Sequence, residues 1–146
     1  NIQLSVRSFL NIENSGTIIN NSEHNNIIPL YIVKENQVLI SISDNNLSFI
    51  IEEHLSWIFL VLTKHDVSLN LMQNSAVSFS ICVDNIKHKI PSLIEDLSKK
   101  FTVFYNEKVE LFTIRHYDTQ SIEKVIKNKQ ILLQQKSRNT VQFIVS

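Results

Sequence analysis

Short stretches of the chain alternate between apolar and polar residues, and this two-residue period predicts β-strands. The run "QVLISIS" over residues 37–43 and both ends of "VSLNLMQNSAVSFSICVD" over residues 67–84 have this pattern. In the second run we expect Val67, Leu69 and Leu71 to share one face of a strand. The next strand is expected to place a second set on one face: Val77, Phe79, Ile81 and Val83.

Two other stretches place apolar residues at the spacing of a helix. Leu55, Ile58, Phe59 and Leu62 fall at i, i+3, i+4 and i+7, which predicts an amphipathic helix over residues 51–65. A second helix is predicted over residues 90–101, because Pro91 is tolerated in a first turn and four apolar residues form a stripe. A strand follows over residues 101–105.

Residues 37–105 therefore have the order strand, helix, strand, strand, helix, strand. This order is typical of a ferredoxin-like βαββαβ unit, in which two helices cover one face of a four-stranded antiparallel sheet. We expect the other face of that sheet to be free, since strands of two-residue period have one apolar and one polar face.

The pattern then restarts with a strand, a short helix and two more strands over residues 109–146. This is three-quarters of a second unit. The apolar run over residues 27–33 precedes the first unit and could supply the missing strand. The predicted fold class is therefore α+β, with two ferredoxin-like units of which the first is inserted into a shortened second.

Composition narrows the function classes. The 146 residues include 14 basic and 14 acidic side chains, and this balance argues against a nucleic-acid partner. We expect no membrane partner, because no apolar run reaches the roughly 18 residues of a membrane-spanning helix. The single glycine, Gly16, excludes glycine-rich phosphate loops and the GxSxG nucleophile motif. The lone Cys82 is predicted to be a small buried hydrophobe.

No catalytic residue and no metal ligand is predicted. The run "RHYD" over residues 115–118 resembles a catalytic cluster, but alternate side chains of a strand point to opposite faces, so the four do not converge. We expect Asp118 to be the N-cap of the following helix, and an independent enzyme site is the alternative. Adjacent carboxylates on the predicted helices also diverge, and we expect them to be solvated: Glu52, Glu53, Glu95 and Asp96.

Two polar loops are expected to meet at one rim of the first unit, namely residues 44–48 and residues 70–75. The first helix also points its free backbone N–H groups toward this rim, and these groups suit a carboxylate. Asn70, Asn74 and Ser75 can donate and accept hydrogen bonds, which suits a zwitterion. Ordinary turn chemistry explains the same residues, so both interpretations stay open here.

Two segments resemble a known family. Residues 47–84, from "LSFIIEEHL" to "SFSICVD", resemble the first ACT domain of aspartate kinases, most of all the monofunctional, lysine-sensitive branch. The segment "VRSFLNIENSGTII" is similar to the end of that family's kinase domain. The resemblance implies a division of the chain. Residues 1–19 end the kinase catalytic domain, and residues 20–26 are a linker. Residues 27–34 contribute a strand to the second ACT domain, residues 35–106 form the first ACT domain, and residues 107–146 form the shortened second.

The resemblance also implies a function. The parent enzyme would be a cytoplasmic kinase that transfers phosphate from ATP to L-aspartate, with ATP and Mg²⁺ bound in its kinase domain and no cofactor in this chain. This region would bind an end-product amino acid for feedback inhibition, contact the kinase domain and form a homodimer. The alternative is a structural dimerisation module that binds no ligand. Lysine is the first candidate effector. Threonine is the second, because Asn70 and Ala76 replace acidic residues of lysine-sensitive members and so remove negative charge near an effector's ammonium group. The implied effector-binding residues are Ser48, Ile51, His54, Leu55, Ser68, Leu69, Asn70, Asn74 and Ser75.

Overall fold

Two antiparallel sheets and three helices make up the part of the chain that the structure, a computed structural model, describes: residues 4–11, 13–19, 28–44 and 49–146. The predicted linker over residues 20–26 lies outside the described residues. The elements are β1 (Leu4–Val6), β2 (Thr17–Ile19), β3 (Leu30–Ser43), α1 (Glu52–Lys64), β4 (Leu69–Asn74), β5 (Ser78–Asp84), α2 (Ile90–Ser98), β6 (Thr102–Arg115), α3 (Thr119–Ile126), β7 (Ile131–Lys136) and β8 (Thr140–Val145).

The first two strands form a small hairpin. β1 pairs with β2 in antiparallel register, and every described residue from 4 to 19 is exposed. Gly16 precedes β2 with φ +72°, and a Cβ at this position would lie 2.4 Å from the carbonyl oxygen of Val6. A side chain at residue 16 would therefore collide with backbone, so this turn requires glycine.

The other six strands form one antiparallel sheet in the order β4-β5-β3-β6-β8-β7. The second half of β3 pairs with β5 and with the first half of β6, which completes one ferredoxin-like unit. The first half of β3 pairs with the second half of β6, through partners such as Tyr31 and Ile114, and β8 and β7 follow. The predicted fold class of two interleaved units is therefore confirmed.

The strands at the centre are longer than the sequence pattern predicts. The predicted strands over residues 27–33 and 37–43 meet in the single strand β3, and those over 101–105 and 109–117 meet in β6; each strand has 14 residues. Asn36 and Lys108 separate the halves with φ values of 52° and 57°, and the register shifts between Lys34 and Gln37. A left-handed residue within a bulge lets a strand bend without ending.

Helices cover one face of each unit. α1 and α2 pack on the first unit over a core that includes Ile40, Ile58, Ile81 and Leu93, all fully buried. α3 packs on the second unit over a separate core that includes Phe143. The apolar stripe of α3 faces this core, since Val125 is buried and Ile122 and Ile126 pack against it.

A third cluster lies on the helix-free side of the sheet. Its buried members come from both units: Leu39, Leu71, Cys82, Val109, Leu111 and Ile144. Leu71 belongs to the outermost strand β4, whereas Leu133, which packs against the cluster, belongs to the opposite outermost strand β7. The sheet therefore curls and covers part of its own second face. The prediction that this face of the first unit is free was wrong near the second unit.

A bulge at Asn70 changes which residues of β4 face the helices. Leu69 pairs with Val83 and Leu71 with Cys82, so β4 carries one extra residue between them. Leu69 consequently packs on the helix-side core and Leu71 in the inner cluster. The prediction that Val67, Leu69 and Leu71 share a face was wrong for Leu71, because one extra residue inverts the alternation.

The inner cluster generates a stability prediction. Leu39→Ala should lower the free energy of unfolding by about 2–5 kcal/mol, because it empties a packed site. Gln73→Ala, an exposed position on the same face of the sheet, should change it by about 0.5 kcal/mol at most. Urea denaturation of both variants measures the difference. Equal small effects would mean that this face is open to solvent.

Candidate functional site

The segment just before α1 meets the turn after β4 at one rim of the first unit, whereas residues 45–48 of the first predicted loop lie outside the described residues. The backbone N–H of Ile50 donates to the carbonyl oxygen of Ala76 over 3.0 Å, which joins the segment before α1 to the turn between β4 and β5. Ile51 is the N-cap of α1, and its N–H lies 3.5 Å from Nδ1 of His54. Ser48, also predicted here, lies outside the described residues.

The turn itself uses one of the predicted residues. The N–H of Ser75 donates to the carbonyl oxygen of Ser78 over 2.8 Å, and the N–H of Ser78 donates to Oγ of Ser75 over 3.1 Å. The two serine hydroxyls are also 2.8 Å apart. The Ser75 side chain thus stabilises the turn, whereas the exposed Asn74 has no side-chain hydrogen bond within the described part of the chain.

The two predicted residues in the first turns of α1 pack largely inward. Leu55 packs against the helix-side core. The ring of His54 meets the ring of Phe101 edge to face, with 5.4 Å between centroids. These two residues position the start of α1, and Ile51, which is exposed, is the predicted helix residue that remains open at the rim.

The remaining predicted residues lie at the other end of β4. Asn70 and Asn74 are four positions apart on one strand, which corresponds to about 13 Å. Ser68 and Leu69 lie beside Asn70, on the side away from the turn. The predicted residues therefore fall into two groups at opposite ends of β4, and the structure does not bring them together around one cavity.

Asn70 is part of a polar network where the two units meet. Its Nδ2 donates to Oε1 of Gln37 over 2.6 Å and to Oδ1 of Asp84 over 2.8 Å. Its Oδ1 accepts from Nζ of Lys34 over 2.7 Å. Lys34 lies in the half of β3 that pairs within the second unit, so Asn70 connects a bulge of the first unit to a strand of the second.

Gln37 is the buried centre of this network, with only 3% of its surface exposed. Its Nε2 donates to the carbonyl oxygen of Glu35 over 3.0 Å and to Oδ1 of Asp84 over 2.9 Å. The hydrogen bonds from Gln37 and then Asn70 hold the pKa of Asp84 below its usual value. Gln37 was not among the residues predicted from the sequence, although a glutamine at the start of an apolar strand indicates a buried polar group.

Cys82 lies in the inner cluster beside Gln37, with its Sγ 3.8 Å from Oε1 of Gln37. Burial, together with the charge of Asp84, raises the pKa of the Cys82 thiol to about 12. The prediction of a small buried hydrophobe is confirmed. A thiol that stays protonated at neutral pH is a poor nucleophile.

A cavity of about 230 Å³ opens beside the network. It is lined by Asp66, Val67, Ser68, Asp84, Ile86 and Lys89. Nζ of Lys89 donates to the carbonyl oxygen of Asp66 over 2.6 Å and to its Oδ2 over 2.8 Å. The hydrogen bond from Lys89 and its charge lower the pKa of Asp66. Of the predicted effector-binding residues, Ser68 lines this cavity.

A second groove, of about 320 Å³, lies between α1 and α2 beside Trp57 and Asp96. Asp96 accepts hydrogen bonds from Lys64, Lys99 and His65, the last over 2.8 Å, and these partners hold its pKa far below the usual range. The expectation that Asp96 is solvated was wrong, because its side chain bridges the two helices and is only 14% exposed.

The run over residues 115–118 does not form a site. Oδ1 of Asp118 accepts from the N–H of Ser121 over 2.7 Å, so the predicted N-cap of α3 is confirmed. This bond from Ser121 lowers the pKa of Asp118. The Tyr117 hydroxyl donates to the carbonyl oxygen of Ser137 over 3.1 Å, and Arg115 is exposed. The side chains diverge, as predicted.

The described ranges contain no group of three or more His, Cys, Asp or Glu side chains placed to hold a metal ion. Their helices are all too short, or not apolar enough, to cross a membrane.

The fold is similar to the regulatory regions of aspartate kinases. The aspartate kinase of Clostridium acetobutylicum superposes with a TM-score of 0.76 at 19% identity, covering 99% of this chain and 38% of that one. Aspartokinase III of E. coli, in complex with lysine and aspartate, superposes with a TM-score of 0.66 at 20% identity over 89% of this chain and 32% of that one. A putative C-terminal regulatory domain of aspartate kinase from Porphyromonas gingivalis W83 gives 0.66 at 18% identity, covering 82% of this chain and 86% of that one.

No protein-family model and no curated protein matches the chain. The chain spans about a third of the length of the two longer kinases, 32% and 38%, but most of the separate regulatory domain. At these identities the comparisons establish the fold, which is that of the predicted ACT regulatory region.

The polar network generates a prediction with a matched control on the same strand. Asn70→Ala should lower the free energy of unfolding by about 1–3 kcal/mol, because the buried Oε1 of Gln37 loses its amide donor. Asn74→Ala removes the same group from an exposed position and should change stability by about 0.5 kcal/mol at most. Urea denaturation measures both. A larger loss for Asn74→Ala than for Asn70→Ala would contradict the structural role of Asn70.

Proposed function

We propose that the chain is the regulatory region of an aspartate kinase, which binds an end-product amino acid and mediates homodimerisation. The observation that carries this proposal is the interleaved pair of units, shared along 99% of the chain with the kinase of Clostridium acetobutylicum. Interleaving requires two strand segments far apart in sequence to pair, so it is a more specific feature than a single ferredoxin-like unit.

The parent enzyme would transfer phosphate from ATP to the β-carboxylate of L-aspartate in the cytoplasm. ATP and Mg²⁺ would bind in its kinase domain, and this region would not be catalytic. Residues 1–19 would end the kinase domain. In support, the β1–β2 hairpin exposes four apolar side chains by 48–58% and so offers a surface for another domain: Leu4, Val6, Ile18 and Ile19.

The effector is proposed to bind the first ACT unit, with lysine as the first candidate and threonine as the second. The E. coli aspartokinase III that shares this fold was solved in complex with lysine and aspartate, which supports lysine. The rim offers the first backbone N–H groups of α1 to a carboxylate and the free side chain of Asn74 to an amine or hydroxyl.

Calorimetry with L-lysine, L-threonine and L-methionine tests this function. We expect one of them to bind, and at 100 times its dissociation constant it should stabilise the chain by about 2.7 kcal/mol, visible as a higher melting temperature. D-Lysine is the matched control, since it has the same charge and size but the opposite hand. Absence of heat and of a thermal shift with all three amino acids would contradict an effector role.

Homodimerisation is proposed through the outer edge of β4, which pairs with no other strand among the described residues, and through the adjacent flank of α1. β4 is an outermost strand of the sheet, and Met72 on it is 53% exposed. Neighbouring apolar residues of α1 and of the turn are also exposed: Ile51, Phe59 and Val77. An unpaired strand edge with apolar side chains is suited to pairing with the same strand of a second copy.

Light scattering on the purified chain tests the dimer. Met72→Lys should convert a dimer into a monomer, because it places a charge in the apolar contact. Gln73→Lys adds the same charge to the same strand on the opposite face, where it is exposed, and should leave the dimer intact. A monomeric wild-type chain, or equal effects of the two substitutions, would contradict this interface.

A dimerisation module without a ligand is the second candidate function. The engagement of Ser75 in its own turn and of Asn70 in the buried network favours it, because both side chains are already satisfied. The two experiments together separate the candidates: this alternative predicts a dimer that no amino acid stabilises.

A further inference from the structure

The groove between α1 and α2 combines an apolar wall with a charged mouth. Its volume is about 320 Å³. The apolar wall comes from three residues of α1: Trp57, Leu60 and Val61. The charged mouth comes from the C-terminal ends of both helices: Lys64, Asp96 and Lys99. Small-ligand sites have this composition, with a mostly apolar wall and a few polar groups that fix the orientation of the ligand.

The apolar wall is exposed and already held in place. Leu60 is 69% exposed, although it lies well inside α1. The ring of Trp57 packs against Phe101 with 5.6 Å between ring centroids, and Nζ of Lys100 lies over the same ring at 5.5 Å. Apolar surface in contact with water is unfavourable, so a ligand that covers Leu60 and Trp57 would gain free energy by burial.

The mouth carries more positive than negative charge. Asp96 accepts from Nζ of Lys64 over 2.7 Å and also from Lys99, so two ammonium groups share one carboxylate. The hydrogen bond to Asp96 and the charges of Asp96 and Glu95 raise the pKa of Lys99, which keeps it protonated at neutral pH. With Lys100, three ammonium groups accompany two carboxylates at this end of the helices.

Both lysines of the mouth can bind a second carboxylate while they keep the first. An ammonium group has three donors, and Asp96 takes one from Lys64 and one from Lys99. The two lysine side chains are 68% and 64% exposed, so a ligand can reach them. Because both Nζ atoms contact the same carboxylate, they are close enough together for another carboxylate to accept from both.

We propose that the α1–α2 groove binds a free apolar monocarboxylate. The ligand carboxylate accepts from Lys64 and Lys99, and its hydrocarbon part packs against the apolar wall. Two carboxylates then share two ammonium groups, which brings the local charges closer to balance. A free amino acid is disfavoured, because its ammonium group would lie beside two others while both oxygens of Asp96 already accept hydrogen bonds.

The groove is separate from the rim at which an amino-acid effector is proposed to bind. α1 has 13 residues and is therefore about 20 Å long. The rim lies at its N-cap, Ile51, whereas Lys64 is its last residue. The inference therefore does not depend on the proposed effector function, and each can fail without the other.

The fluorescence of Trp57 tests the ligand class, because Trp57 is the only tryptophan in the sequence and lines the groove. Octanoate should bind and change its emission. Octan-1-ol has the same chain without the charge and should bind about tenfold more weakly, and octylamine, with the opposite charge, more weakly still. Octan-1-ol or octylamine binding as tightly as octanoate would overturn the proposal, as would absence of octanoate binding by both fluorescence and calorimetry.

Variants of the mouth locate the carboxylate. Lys64→Met and Lys99→Met should each weaken octanoate binding about tenfold and leave octan-1-ol binding unchanged, because methionine keeps an apolar stem and removes the charge. Lys127→Met removes an exposed ammonium group beyond α3 and should change neither. All three positions are exposed, so the variants should fold, which circular dichroism checks. Octanoate binding that neither Lys64→Met nor Lys99→Met weakens would overturn the site.

A variant of the wall locates the hydrocarbon part. Leu60→Gln keeps every charge of the mouth and changes an exposed position, so the fold should be retained. It should weaken octanoate and octan-1-ol alike, by about fivefold, because both lose the same apolar contact. Wild-type affinity of Leu60→Gln for both ligands would mean that the hydrocarbon part lies elsewhere and would overturn the groove as the site.

Discussion

The antiparallel pairing of β3 with β6 is the interaction on which the whole architecture depends. Both strands are 14 residues long and pair along nearly their full length, from Leu30 with Arg115 to Ser43 with Thr102. One half of this pair receives β5, β4 and two helices, and the other half receives β8, β7 and α3. Because neither unit has four strands without it, the two units cannot fold independently, and disruption of the pair would remove both cores at once.

The place where the halves join carries buried polar groups, and the Gln37 network compensates for their burial. The amide of Gln37 makes hydrogen bonds through both its nitrogen and its oxygen, and no buried side-chain polar atom in the described ranges lacks a partner. A satisfied network of this kind fixes one geometry, whereas an apolar contact tolerates several. The curl that brings Leu39 and Leu111 into one cluster is therefore defined by polar contacts at its edge as well as by apolar packing.

Local periodicity was enough to predict the strand segments of the six-stranded sheet, all three helices and the order of the units. The sequence could not reveal that β3 and β6 continue through Asn36 and Lys108. Both are polar residues in a left-handed conformation, and polar residues at such positions are also typical of turns. It also could not reveal the bulge at Asn70, which depends on the partner strand and inverts the alternation that the prediction used. For the same reason the sequence could not show that the predicted site residues form two separate groups. They are close in sequence on β4 but lie at its two ends, and only the strand pairing shows which loops each end contacts.

Asn70 is the residue at which the sequence resemblance and the structure meet. The resemblance places it in an effector site, and the structure places it in the network that joins the units. The two roles compete for one side chain, because the amide of Asn70 already donates to Gln37 and Asp84 and accepts from Lys34. A ligand shifts a conformational equilibrium only by binding one arrangement more tightly than another. Lys34 supplies a contact that depends on the relative position of the units, because it lies in the second unit, whereas Gln37, Asn70 and Asp84 lie in the first. A ligand that replaced Lys34 at Asn70 would therefore change a contact that joins the two units.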